Sequence, residues 1–200
     1  MKKEKYQNVY QFRIVLKDSK PPIWRRIQVP ENYSFWDLHV AIQDAMGWED
    51  CHLHEFTTVI SKGKLRGRQH IGIPDPDGFR EVLPGWKEKI KDWFSRFEKM
   101  NYDYDFGDNW EHPVILEKIL PKESGKKYPI CVAGKMACPF EDSGAIWGYY
   151  EKLEILKNPN HSEYKDIVDW VGDENFNPEE FNPEEVIFDN PKVRLKTIGI

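Results

Sequence analysis

Tyr102-Asp103-Tyr104-Asp105-Phe106-Gly107-Asp108-Asn109-Trp110-Glu111-His112-Pro113-Val114-Ile115-Leu116 runs out and back. Tyr102, Tyr104 and Phe106 alternate with Asp103 and Asp105, and Trp110, His112, Val114 and Leu116 alternate on the return. A period of two puts one set of side chains on each face of a sheet. Gly107-Asp108 supplies the tight turn between the two arms. Residues 102–118 are therefore an antiparallel hairpin with one apolar face, and the flanking segments have to build on it.

Toward the N-terminus, residues 52–60 read as a strand of high β propensity. Residues 61–83 are loop-like, with Gly63, Gly67, Gly72, Pro74, Pro76 and Gly78 and room for a short strand over Arg68–Ile73. Apolar residues at 86, 90, 93, 94, 97 and 100 predict an amphipathic helix over 86–100. Tyr10, Phe12, Ile14 and Leu16 alternate with Gln11, Arg13 and Val15, and after Pro21-Pro22 the segment from Ile23 to Val29 is again extended, so residues 6–30 form a strand pair. Ser34 is a helix N-cap with Asp37 three residues on, and Phe35, Leu38, Ile42, Ala45 and Met46 recur at helical spacing before the stop at Gly47. Strand, strand, helix resembles the opening of a β-grasp unit.

Toward the C-terminus, residues 121–127 read as a linker and 128–145 as a Pro/Gly-rich loop. Helices are predicted over 145–157 and 162–171. Phe-Asn-Pro-Glu-Glu occurs twice, at 176–180 and 181–185, each copy with the form of a helix start. A last strand is predicted over Val193–Ile198. The fold class is α+β: a mainly antiparallel sheet with helices 35–46 and 86–100 on one face, and a helical C-terminal third. Residues 1–200 are read as one domain, with a sheet core over 6–120 and a loop-plus-helical part over 128–190 packed on it.

The 200 residues are 40% hydrophobic and 32% charged, with eight Trp, nine Tyr and eleven Phe. That composition excludes a disordered chain. No apolar run reaches the roughly 20 residues of a bilayer crossing, and Met1–Lys5 lacks the apolar core of a secretory signal. Cys51, Cys131 and Cys138 are an odd set without a close pair, which points to free thiols and a reducing cytoplasm. Net charge is +4 over residues 1–100 and −9 over 101–200. The compact basic run Lys62, Lys64, Arg66, Arg68 with His70 lies in a glycine-containing loop. The acidic C-terminal half would repel a duplex, so charge argues against nucleic acid as a partner.

Asp105-Phe106-Gly107 matches a kinase metal-binding triplet, but the chain has neither a glycine-rich phosphate loop nor a His-Arg-Asp catalytic loop, so here it is a hairpin turn. His52 and His54, two apart on a predicted strand, share a face. With His112, His39, Asp105, Asp108 and Glu111 they supply nitrogen and oxygen donors of the type that binds Zn or Mn. Metal candidates are His52, His54, His112 and Asp105, weighed against ordinary hydrogen-bonded histidines. Glu141-Asp142 precedes the helix from Ala145 and is equally suited to acid/base work and to capping that helix through Asp142 or Ser143; capping is the simpler expectation.

Three blocks carry a family resemblance: Pro22 to Pro30 with Leu38-His39, Ile42 to Trp48 and His52-Leu53-His54-Glu55-Phe56; Tyr104 to His112; and Tyr128 to Cys131 with Gly134, Ala137-Cys138-Pro139, Glu141-Asp142, Gly144 and Gly148-Tyr149. In that order they resemble the plasmid pRiA4b ORF-3-like family over roughly residues 6–188. The family's third block usually reads Pro-Pro-Glu-Asp-Cys-Gly-Gly, whereas this chain has Ser143 and Ala145. The resemblance implies a mobile-element setting, and through it nucleic acid as a partner, without naming a reaction.

The expectation is a cytoplasmic binding or accessory module, not an enzyme, without cofactor or membrane. Its surface would be a cleft of Trp24, His52, His54, Asp105, Asp108, Trp110, His112, Glu141 and Asp142, walled by Trp24, Trp48 and Trp110. The rival is a metal-dependent hydrolase or nuclease using the His/Asp cluster with Zn or Mn. A DNA-binding protein using the 62–70 run is third.

Overall fold

In the computed structural model, which describes residues 5–60, 67–173 and 176–199, the chain runs β1 (Asn8–Val15), β2 (Trp24–Pro30), α1 (Phe35–Met46), β3 (His54–Ile60), β4 (Gly67–Gly72), β5 (Leu83–Pro84), α2 (Ile90–Phe94), β6 (Lys99–Tyr104), β7 (Trp110–Pro121), β8 (Ile130–Lys135), α3 (Ala145–Leu156), α4 (Tyr164–Val171), a 3₁₀ turn (Pro183–Glu185) and α5 (Pro191–Thr197). The strands form one eight-stranded sheet, β5-β4-β3-β6-β7-β1-β2-β8. Every pairing is antiparallel except β4 with β5.

The hairpin is β6 and β7, with Tyr102 opposite His112 and Tyr104 opposite Trp110. Its connection is the five residues Asp105–Asn109 rather than a tight Gly107-Asp108 turn. Asp105 and Asn109 take the left-handed conformation at its two ends (φ 55° each), a region that Asp and Asn enter more readily than other side chains. Tyr10, Phe12, Ile14, Ile27, Val29, Phe56, Tyr102, Tyr104, Trp110 and Val114 form the buried sheet face. Phe35, Leu38, Ala41, Ile42 and Ala45 of α1 pack in the same cluster.

Local chemistry fixes the limits of α1. The Ser34 hydroxyl accepts from the Asp37 N–H (3.1 Å), and the Asp37 carboxylate accepts from the Ser34 N–H (2.8 Å). Gly47 closes the helix with φ 97°. On the reverse face of the sheet Arg26 bonds both oxygens of Glu117 (2.6 and 2.8 Å). The guanidinium groups of Arg13 and Arg26 lie 5.1 and 5.2 Å from the Trp24 ring.

Four expectations are corrected. The predicted helix 86–100 is only the short α2, because Met100, Tyr102 and Tyr104 extend the hairpin alternation backwards and strand pairing claims residues 99–104. The loop 128–145 contains β8, which pairs with β2 despite poor β formers at Ala133 and Gly134. Residues 193–198 are not a strand: Asn190 caps α5 by accepting from the Lys192 N–H (3.1 Å), with Pro191 opening the helix. The two Asn-Pro repeats are turns first. Asn177 and Asn182 accept from the N–H two residues on (3.0 and 3.1 Å), and only the second copy becomes a 3₁₀ turn.

The phenylalanine of each repeat anchors it. Phe176 packs on Phe140 with centroids 4.5 Å apart, and Phe181 lies 3.7 Å from the Arg25 guanidinium. Buried Arg25 donates to the carbonyls of Ala45 (2.8 Å), Trp24 (2.9 Å) and Lys135 (3.1 Å), and its burial lowers the pKa. Of the basic run, Lys62, Lys64 and Arg66 lie outside the described residues; His70 on β4 pairs with Glu55 at 3.0 Å. Among the described residues no helix is long and apolar enough to cross a membrane.

Gly148, on the inner side of α3, lets the helix close on the preceding loop, since a Cβ there would overlap the Ser143 carbonyl oxygen. Gly148→Ala is expected to destabilise the fold by about 1–3 kcal/mol, read as a lower urea midpoint at unchanged slope.

Candidate functional site

Three connections meet at one end of the β3–β6–β7 group: residues 48–53 after α1, the 105–109 turn, and the 139–144 loop before α3. Tyr104 joins them. Its hydroxyl accepts from the backbone N–H of Cys51 (3.0 Å) and of His52 (3.4 Å) and donates to the Glu141 carboxylate. Burial and the Glu141 carboxylate raise the pKa of this phenol, so it keeps its proton. The Asp105 N–H donates to the Leu53 carbonyl (2.9 Å). Asp108 accepts from the Gly144 N–H (3.0 Å), and the Trp48 indole N–H donates to the Pro139 carbonyl (2.9 Å).

This network sets His52, Asp105 and Asp142 facing one another. His52 Nε2 is 3.2 Å from Asp142 Oδ1 and 3.7 Å from Asp105 Oδ2. One donor atom from each residue lies within 4.8 Å of the other two. The nitrogen is shielded from solvent, yet neither carboxylate oxygen is aligned to take a hydrogen bond from it. Donors bound at about 2.1 Å to one ion stand roughly 3.0–3.4 Å apart at octahedral or tetrahedral angles; the 3.2 Å separation falls in that range and the 3.7 Å one lies just beyond it. Asp105 Oδ1 accepts from the Gly107 N–H (2.9 Å), which leaves Oδ2 for the cluster. Asp105 and Asp142 both hold the left-handed conformation (φ 55°), as does nearby Asp50 (φ 63°). Such conformations cost of order 1–3 kcal/mol each and gather at functional sites.

The expected set is thus divided. His52, Asp105 and Asp142 converge; Glu141 is held by Tyr104, and Asp108 binds the neighbouring loop. His54 does not share the position of His52, because β3 begins only at His54 and the two-residue argument fails across the strand end. His54 instead stacks on His39 at 3.4 Å between ring centroids. His39 is bonded through Nδ1 to the Tyr102 hydroxyl and through Nε2 to Asp50 (2.8 Å each), and burial drives both imidazoles well below the usual histidine range. With both His39 nitrogens engaged, the His39–Asp50–His54 group is a buried structural cluster.

His112 is fully buried, with its ring 5.4 Å from Trp48. Trp48 and Trp110 are core residues beneath the site, whereas Trp24 lies on the reverse face and walls nothing here. Neither Asp142 nor Ser143 caps α3: Gly144 stands at the cap without a side-chain bond, and the Ser143 hydroxyl bonds the Phe140 carbonyl. The three cysteines are free. Burial raises the Cys51, Cys131 and Cys138 thiols, Cys138 to about 12, which disfavours a thiolate nucleophile. Sequence reasoning missed Tyr104; its signal was a strand tyrosine directed into the core, whose hydroxyl required a partner.

The family model described as Plasmid pRiA4b ORF-3-like protein matches residues 8–185. The chain belongs to this family. It is 31% identical over 173 residues to the uncharacterized protein y4hQ of Sinorhizobium fredii (strain NBRC 101917 / NGR234), covering 84% of each chain. It is also similar to the crystal structure of a protein of unknown function, MM3350 from Methanosarcina mazei Go1: 48% identity, TM-score 0.83, with 92% of this chain and 100% of that one covered. Ser143, the position at which the sequence resemblance implied a cysteine, is buried and its hydroxyl bonds the Phe140 carbonyl.

Burial lowers the His112 pKa to about 4, with the backbone at Tyr102 and Trp110 opposing it. The unfolded histidine titrates near 6.5, so the unfolded chain takes the proton first as pH falls. Stability from the neutral ring is whole above about 6.5 and is lost toward pH 4, by about 3 kcal/mol in all. His39 and His54 act with the same sign. Urea midpoints are expected to fall from pH 7.5 to 4.5, with a shallower fall in His112→Gln.

Proposed function

We propose that the protein binds one divalent transition-metal ion through His52 Nε2, Asp105 Oδ2 and Asp142 Oδ1, and uses its open coordination positions to hold a ligand from solvent. The observation that carries this is the shielded His52 nitrogen, 3.2 and 3.7 Å from two carboxylates without a hydrogen bond to either. Mixed imidazole and carboxylate donors suit Zn or Mn. Three protein ligands leave positions for water or a ligand, and Asp142, 74% exposed in its side chain, opens the site to solvent. On this reading the chain is a single-domain binding module of the cytoplasm, with a β-grasp-like opening.

A hydrolytic role is the second reading. The Glu141 carboxylate, held by the Tyr104 hydroxyl, stands on the loop that also carries Asp142 and is a candidate proton acceptor for a water on the proposed ion. DNA binding is set aside: the plasmid in the family description supports a mobile-element setting, but the acids around His52 oppose a phosphate backbone.

Titration calorimetry on chelator-treated protein is expected to give one Zn or Mn per chain. Affinity should fall at least tenfold in His52→Ala and Asp105→Asn and stay unchanged in His161→Ala, a control on an exposed loop. Absent binding, or binding indifferent to His52, would overturn the proposal. Hydrolysis of an activated phosphodiester by the Mn form, lost in His52→Ala, would establish the second reading.

A further inference from the structure

At the opposite end of the sheet lies a cavity of about 1020 Å³ between the start of β1, the end of β2, the end of β7 and the start of α5. Lys5, Lys89, Lys122, Lys126, Lys127 and Lys192 line it, with Asp37 as its one carboxylate. That carboxylate is committed to the cap of α1, 2.8 Å from the Ser34 N–H. Among the described residues only Lys126 of the six has an acid partner, Glu123 at 3.0 Å. Six lysines thus line one cavity in a chain whose net charge is −5, with Lys89 Nζ donating to the Asn32 carbonyl (3.2 Å). These lysines are scattered from residue 5 to residue 192, and only folding brings them together.

Tyr6, Tyr33 and Tyr128 complete the wall. The Tyr6 and Tyr128 rings meet edge to face at 6.5 Å, and Lys122 Nζ lies 4.4 Å from the Tyr6 ring centre. The Tyr128 hydroxyl is buried without a hydrogen-bond partner. Buried polar groups are almost always paired, so this one marks a place for a polar atom from outside the chain. We infer that the cavity binds a nucleotide-class ligand, a phosphorylated small molecule carrying an aromatic base.

The chemistry divides between the two residue types. Lysine ammonium groups converging in a concave site focus positive potential and neutralise phosphate oxygens. Tyrosine faces provide a stacking surface for a planar base. The volume matches a single small ligand, whereas an extended nucleic acid would need a basic track beyond the cavity, in a protein that is acidic overall. The metal-site proposal is independent, because the length of β7, about 36 Å at 3.3 Å per residue, separates the two places.

The test is titration calorimetry with ATP in EDTA at about 50 mM salt, with tripolyphosphate and a short single-stranded oligonucleotide as companions. One ATP per chain is expected. Lys122→Glu combined with Lys192→Glu should weaken it at least tenfold. Tyr6→Ala should bring ATP down to the level of tripolyphosphate, which binds several-fold more weakly to the unaltered protein. His52→Ala should leave all of this unchanged. Absent ATP binding, indifference to charge reversal, tripolyphosphate binding as tightly as ATP, or the oligonucleotide binding more tightly would overturn the inference.

Discussion

A buried phenol has to satisfy its hydroxyl, and the way Tyr104 does so shapes the whole site end of the molecule. An unpaired hydroxyl in the core costs about 1–3 kcal/mol. Tyr104 avoids that cost by taking two backbone N–H groups from the segment after α1 and giving its own proton to Glu141. Those bonds draw together segments more than eighty residues apart in sequence and hold His52 opposite Asp142. The next residue, Asp105, leaves the strand in a left-handed turn and brings the second carboxylate. One strand therefore supplies both the tie and a donor.

Elements encoded locally were legible in the sequence. The cap at Ser34, the stripe of α1 and the stop at Gly47 are contained in fourteen residues and appear as read. The hairpin followed from alternation alone. Where two readings met, only tertiary pairing could choose: Met100 fits the end of the helical stripe over 86–100 and also the alternation of the hairpin from Tyr102, and the neighbours β3 and β7 select the strand. At residues 190–197 the Asn-Pro start was the better guide than the Val/Leu content.

That the loops bearing His52, Asp105 and Asp142 meet was legible in the sequence, but which of their side chains face one another was not. His52, Asp105 and Asp142 were among the candidates, yet His54 and His112 had equal chemical claim. Their exclusion rests on where β3 starts and on the depth of the core under α1, and neither is visible in residue type. The lysine cavity was hidden more completely, since its charges come from four separate stretches of an acidic chain. The sequence showed only the run at 62–70.

The two margins of the sheet are closed in different ways. One ends in the two-residue β5, whose second residue is Pro84. At the other, the Ala137 N–H bonds the Pro178 carbonyl and Phe181 fills the space above Gly134 on β8. A very short edge strand ending in proline and a flank packed by Phe181 are both devices that limit pairing with a strand of another molecule. Association with another protein is then steered toward side chains and loops rather than toward strand addition at these two margins.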